Sequence, residues 1–248
     1  MSIIAKPYMQ TGNSHLLPFD MNDPTLALYL PLWYPHGDMT GSTIYSYDKN
    51  RHTCTVTGAT WGSQGRTFDG VDDVITLGVN AAYEDIFDGW GTISSWIYPR
   101  SDGEDSAGTI MATMTPWTEG WKCDVRSEAG GLLKSEFQQK FSTTNGTWNI
   151  TDTVIPINTW TFYVLTYNCS NVANNPIIYI NALPVALTKA LTPVGTRVTD
   201  ATKNFMIGAL IGGQRTFDGI IGETVAFNSI LSPAEISNYF QVTKWRYQ

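Results

Sequence analysis

Charge is scarce in this chain. Asp, Glu, Lys and Arg make up 15% of its 248 residues, against about 25% in an average globular protein. Lys and Arg are dispersed, and the net charge is −7. There is therefore no basic patch of the kind that tracks a phosphate backbone or an anionic bilayer, and nucleic acid is excluded as the expected partner. Long apolar runs are absent too. Nothing approaches the roughly 20 residues of a membrane span, so no membrane insertion is expected. The opening Met1-Ser-Ile-Ile-Ala-Lys-Pro-Tyr8 lacks the basic stretch and apolar run of a secretory signal. The expected setting is a virion or the cytoplasm of the producing cell.

Cysteine and histidine are equally sparse. Cys54, Cys123 and Cys169 are odd in number and widely spaced, which does not make a disulfide framework. They read as small buried hydrophobes, with any pairing left open. His15, His36 and His52 have neither zinc-ligand spacing nor a Gly-x-Ser-x-Gly context, so no metal-hydrolase or triad chemistry is indicated.

What is abundant is strand and turn material. The chain holds 22 Gly and 12 Pro, scattered, with 9 Trp and 12 Tyr. Short segments rich in β-branched and aromatic residues recur between turn signals, at 26–33, 52–57, 73–77, 91–98, 109–114, 133–139, 148–154, 160–167, 177–180, 205–210 and 219–227. Pro31 places the first at an edge or a strand end. Residues 160–167 are apolar on both faces, which predicts a central strand with its second face covered. Nothing alternates with long helical patterns. Ser232-Pro-Ala-Glu235 is a capping box with Pro at the first helical position, and Ile236, Tyr239 and Phe240 follow at helical spacing. The reading is an all-β fold: a two-sheet antiparallel β-sandwich (jelly roll) with one short C-terminal helix. Residues 1–24, with three prolines and no periodicity, read as an N-terminal arm, and residues 25–248 as the sandwich domain.

Several pieces of residues 26–240 resemble the concanavalin A-like lectin/glucanase superfamily, in its laminin-G/pentraxin-like branch. They are Leu28-Tyr-Leu-Pro-Leu32, Thr57-Gly-Ala-Thr-Trp61, Phe68-Asp-Gly-Val-Asp-Asp-Val74 and Gly91-Thr-Ile-Ser-Ser-Trp-Ile97. Asn158 to Tyr167, Ile177-Ile-Tyr-Ile-Asn181, Phe217-Asp-Gly-Ile-Ile-Gly-Glu223 and Leu231-Ser-Pro-Ala-Glu-Ile236 follow in the family's order. Ala182 and Gly222 depart from the pattern. The resemblance implies a jelly roll, and it leaves function open, because the superfamily includes lectins, adhesion domains, glucanases and particle proteins.

It also implies where chemistry would sit. Its glucanases carry carboxylates alternating along one strand, and no such strand is found here. Glu84, Asp85 and Asp88, like Asp102, Glu104 and Asp105, read as solvated loop charge, so no enzyme activity is expected. The resemblance would place a structural calcium ion at Asp69, Asp72, Asp73, Asp218 and Glu223. Turn chemistry explains the same aspartates without an ion. Glycans stack on exposed aromatic rings. The ring candidates nearer loops or strand ends are Trp117, Trp121, Trp90, Trp148 and Tyr34. Trp61, Trp96 and Trp160 match core positions.

The expected function is non-catalytic: a structural, decoration or adhesion subunit of a virus or phage particle, with glycan binding. Its partners would be glycans, other particle subunits, or a second copy joined through the arm. A stand-alone lectin-like module is the alternative, and a glycoside hydrolase is the third.

Overall fold

The computed structural model describes residues 19–35, 37–115 and 118–248. Trp117, His15, His36 and most of the N-terminal arm lie outside them.

The described residues form two antiparallel sheets packed face to face, a jelly-roll β-sandwich. In the eight-stranded sheet the order is Leu183–Pro184, Ile177–Ile180, Thr161–Tyr167, Gly91–Pro99, Asp218–Phe227, Gly65–Asp69 and Thr60–Gly62. Leu26–Pro31 pairs with the second half of Asp218–Phe227. As expected, Pro31 ends its strand. In the ten-stranded sheet the order is Leu187–Leu191, Gly146–Ile150, Leu132–Gln139, Trp121–Ala129, Ala107–Ala112, Phe205–Ile207, Val74–Gly78, Thr53–Thr57 and Thr43–Tyr45. Ile155–Pro156 pairs with Leu132–Gln139.

Between the sheets lies an aromatic-rich core in which Phe87, Trp121, Phe137, Trp148, Tyr167 and Phe205 interlock. Ring pairs of this kind add about 0.5–1.5 kcal/mol each beyond their buried area. All three cysteines are free and buried here. Burial pushes the Cys54 thiol up to about 12, and it raises Cys123 and Cys169 as well. They are inert fillers.

A second apolar layer explains why the Thr161–Tyr167 strand is apolar on both faces. Trp96, Phe162, Tyr179 and Val225 point away from the sandwich interior and are covered by the C-terminal helix, Pro233–Thr243. Its capping box forms as the sequence requires. Ile236 and Tyr239 are buried, and Phe240 stacks on Trp96 at 5.6 Å. Phe19 packs edge-on against Tyr29, Phe227 and Tyr239, so the last described residues of the arm are pinned to their own domain.

The chain end closes this layer. Tyr247 stacks on Trp96 at 4.5 Å, and its hydroxyl accepts from the Glu223 backbone nitrogen. Arg246 donates to the Glu223 carboxylate at 3.0 Å, and Tyr29 and Trp33 donate to the same oxygen. Glu223 is fully buried. It therefore does not belong to a calcium site. It lies five residues along the strand from Asp218, about 16 Å at strand rise, and its charge is neutralised by Arg246.

Candidate functional site

Residues 80–90 form a compact series of turns at one end of the sandwich. Tyr83, Ile86 and Phe87 are buried. Their i, i+3, i+4 spacing gives the segment one inward face, and that leaves Glu84, Asp85 and Asp88 on the other. Asn80 starts the turns, accepting from the Ala82 nitrogen through its side chain and from the Tyr83 and Glu84 nitrogens through its carbonyl. Gly91 ends them. A Cβ there would lie 2.2 Å from the Ile86 carbonyl oxygen, so only glycine lets the segment fold back on its own strand.

Trp90 thereby stands at the strand entrance, 63% exposed. With Ala81, Glu84, Asp85, Ile86, Asp88 and Asn228 it lines a recess of about 380 Å³. Asn228 follows the Asp218–Phe227 strand, and its Nδ2 donates to the Ala82 carbonyl. Its amide is thus oriented at the rim. An exposed indole, carboxylates and an amide around one recess are the groups that stack on a sugar ring and bond its hydroxyls.

A buried charge cluster fixes the recess wall from behind. Arg197 reaches Asp85 at 2.7 Å, Asp200 at 3.2 Å and Asp88 at 3.5 Å. Asp85 also accepts from the Asp200 nitrogen and the Thr199 hydroxyl, and Thr113 donates to Asp200. Burial, reinforced by the Asp85 carboxylate, pushes the Asp200 carboxyl up to about 6. Burial also opposes ionisation of Asp85. Hydrogen bonds from Asp200, Thr199 and Arg197 outweigh it and hold Asp85 below the usual carboxylate range. The pair shares one proton over the interval between.

The two shifts have opposite effects on stability. The raised Asp200 contributes stability that is complete below its unfolded value, about 4, and is lost as pH rises through about 6. The lowered Asp85 contributes stability above its unfolded value and loses it as pH falls below the usual carboxylate range. Asp200→Asn mimics the protonated acid. It is expected to stabilise the protein above pH about 6, by an amount of the order of 2 kcal/mol, and to have little effect near pH 4. Thermal melts of both proteins across this range check it. Parallel pH profiles would contradict the assignment.

Of the other candidate rings, Trp121 and Trp148 are corrected by the structure. Trp121 is 0% exposed and Trp148 1%. Each lies on the inward side of its strand within the core, so neither offers a face to a ligand. Tyr34 is half-buried, edge-on to Trp33 and Tyr47, and it does not line the recess. Among the four candidate rings within the described residues, Trp90 alone stands exposed in a recess; Trp117 lies outside them. Trp61, read as core, is half-buried beside a second, smaller recess formed with Arg66.

Asp69, Asp72 and Asp73 each place a carboxylate oxygen within 4.8 Å of the others, an arrangement an oxygen-seeking cation such as calcium can use. Part of that capacity serves the turn: Asp73 accepts from the Asp69 nitrogen and Asp69 from the Val71 nitrogen. Gly58 is required here, since a Cβ would fall 1.7 Å from an Asp73 carboxylate oxygen. Asp218 lies opposite Asp69 but accepts from Ser101.

One polar constellation escapes the sequence reading. Lys122, Asp124 and Arg126 share the outward face of Trp121–Ala129, and Glu136 faces Asp124 across the strand pair. Lys122 bridges Asp124 and Glu136, and Arg126 pairs with Glu136. Both carboxylates are tied to cations, and Asp124 is fully buried. This is an ion-pair lattice, without the free acid and base of a glycosidase.

The fold is that of an antiparallel jelly-roll β-sandwich with an open recess at one end. A model of the concanavalin A-like lectin/glucanases superfamily, of laminin-G type, matches residues 69–237. The chain belongs to this superfamily. No curated protein matches the sequence. Among solved structures, the binding domain of Paraclostridial Mosquitocidal Protein 1 is 15% identical with a TM-score of 0.62, over 89% of this chain and 52% of that one. The botulinum neurotoxin DC binding domain in complex with SialylT is 17% identical with a TM-score of 0.60, over 90% and 52%. The botulinum neurotoxin serotype D ligand binding domain in complex with N-acetylneuraminic acid is 14% identical with a TM-score of 0.61, over 89% and 51%. The chain thus spans about half the length of these neighbours. No helix among the described residues is long and apolar enough to cross a membrane.

Proposed function

We propose that this protein is a carbohydrate-binding domain, non-catalytic, with Trp90 as its stacking platform. The observation that carries the reading is the exposed Trp90 indole in a recess whose rim holds Glu84, Asp88 and Asn228. The neighbours' sugar complexes support it at the level of the fold. The finer role, a decoration or adhesion subunit of a virus or phage particle, draws its support from the N-terminal arm read in the sequence.

Exposed tryptophans that anchor a ligand are worth about 2 kcal/mol or more. Trp90→Ala should therefore weaken glycan binding by roughly 30-fold while changing stability by no more than about 0.5 kcal/mol. Calorimetric titration beside urea melts reads both. Unchanged affinity for a bound glycan would remove Trp90 from the site.

A further inference from the structure

The recess is one-sided in charge. Three of its seven lining residues are carboxylates, Glu84, Asp85 and Asp88, and none is Lys or Arg. The nearby cation, Arg197, has only 8% of its side chain exposed and is engaged by Asp85, Asp88 and Asp200. Glu84 has no ion-pair partner among the described residues. Asp88 is 65% exposed and makes only the long contact to Arg197. Uncompensated negative charge thus surrounds an open indole face. That combination recognises an ammonium group, because the ring quadrupole and the carboxylates attract the same charge.

Resting on the carbohydrate reading above, we propose that the Trp90 recess selects a cationic amino sugar, a saccharide bearing free ammonium groups, over N-acetylated and acidic saccharides. The sugar ring stacks on Trp90, and the ammonium lies toward Glu84 and Asp88. N-acetylation removes the charge and leaves only the stacking. A sugar carboxylate meets Glu84 and Asp88 as like charge. The acidic sugars in the neighbours' complexes are therefore not carried over to this chain. Both carboxylates are solvent-accessible, so the preference is of moderate size and screened by salt.

The test is calorimetric titration of the full chain with three probes: a glucosamine tetrasaccharide, its fully N-acetylated counterpart and a trisaccharide capped with N-acetylneuraminic acid. Mildly acidic, low-salt buffer keeps the sugar amines protonated. The free-amine probe should bind about tenfold tighter than the acetylated one, and the acidic probe weakest. Glu84→Gln with Asp88→Asn should bring the free-amine and acetylated tetrasaccharides to equal affinity, and Trp90→Ala should weaken both roughly 30-fold. Equal binding of the two tetrasaccharides through Trp90 would overturn the charge selectivity and leave the carbohydrate reading standing. Free-amine binding that survives Trp90→Ala would overturn the proposed site. If no saccharide binds and a lysine-rich peptide does so through Trp90, both readings fall and the recess is a docking site for basic peptides.

Discussion

Arg246→Ala is expected to cost about 3–5 kcal/mol of unfolding free energy, although only Tyr247 and Gln248 follow it in the sequence. Its guanidinium is the cation paired with the fully buried Glu223 carboxylate. It also lies 4.2 Å over the Trp33 ring, and its carbonyl accepts from Gln64 at 2.7 Å. Without it, Glu223 keeps only the neutral donors Tyr29 and Trp33, and an uncompensated charge stays in an aromatic layer. Removing one partner of a buried pair costs more than removing both. The double variant Arg246→Met with Glu223→Gln should accordingly recover part of the loss. Urea denaturation of the three proteins measures this. A single-variant loss below about 1 kcal/mol would mean that the chain end does not lock the layer.

Lys122→Met is the second large effect, again about 3–5 kcal/mol. Lys122 is buried between Asp124 and Glu136, which face each other across adjacent strands. Like charges directly opposite on a sheet repel, and Lys122 is what separates these two. Arg126 remains to serve Glu136, whereas Asp124 keeps Thr109 and a 3.8 Å contact to Arg215. Adding Asp124→Asn to Lys122→Met should restore stability. Denaturation midpoints of the single and double variants decide it. A double variant no more stable than the single would show that the loss comes from packing of the lysine stem.

These two clusters differ in how far the sequence reveals them. The strands with β-branched and aromatic residues, the capping box and the covered face of Thr161–Tyr167 are legible because local propensity and burial agree there. Trp121–Ala129 is not. Its Trp-Lys-Cys-Asp-Val-Arg alternation is a strand pattern, but the charged positions suggest a loop. The partners that neutralise them lie on another strand and become visible only in the register. The same oversight put Trp121 among candidate ligand platforms, although Trp121, Cys123 and Val125 share the inward face.

The recess was half legible. Trp90 follows from its place before a strand, but Glu84, Asp85 and Asp88 look like solvated loop charge. The available signal was the helical spacing of Tyr83, Ile86 and Phe87, which makes the segment ordered and turns its carboxylates outward together. Arg197 and Asp200 are more than 100 residues away and join the cluster only through the fold. Glu223 shows the converse: the family resemblance placed it with Asp218 at a shared ion, and the strand separates them.

The most direct test of the central claim is to follow the tryptophan indole N–H signals by nuclear magnetic resonance during glycan titration, with the Trp90 signal identified by its loss in Trp90→Phe. The Trp90 signal should move and saturate with the ligand, while the signals of the buried Trp121 and Trp148 stay in place. A glycan that binds without moving the Trp90 signal would contradict the claim.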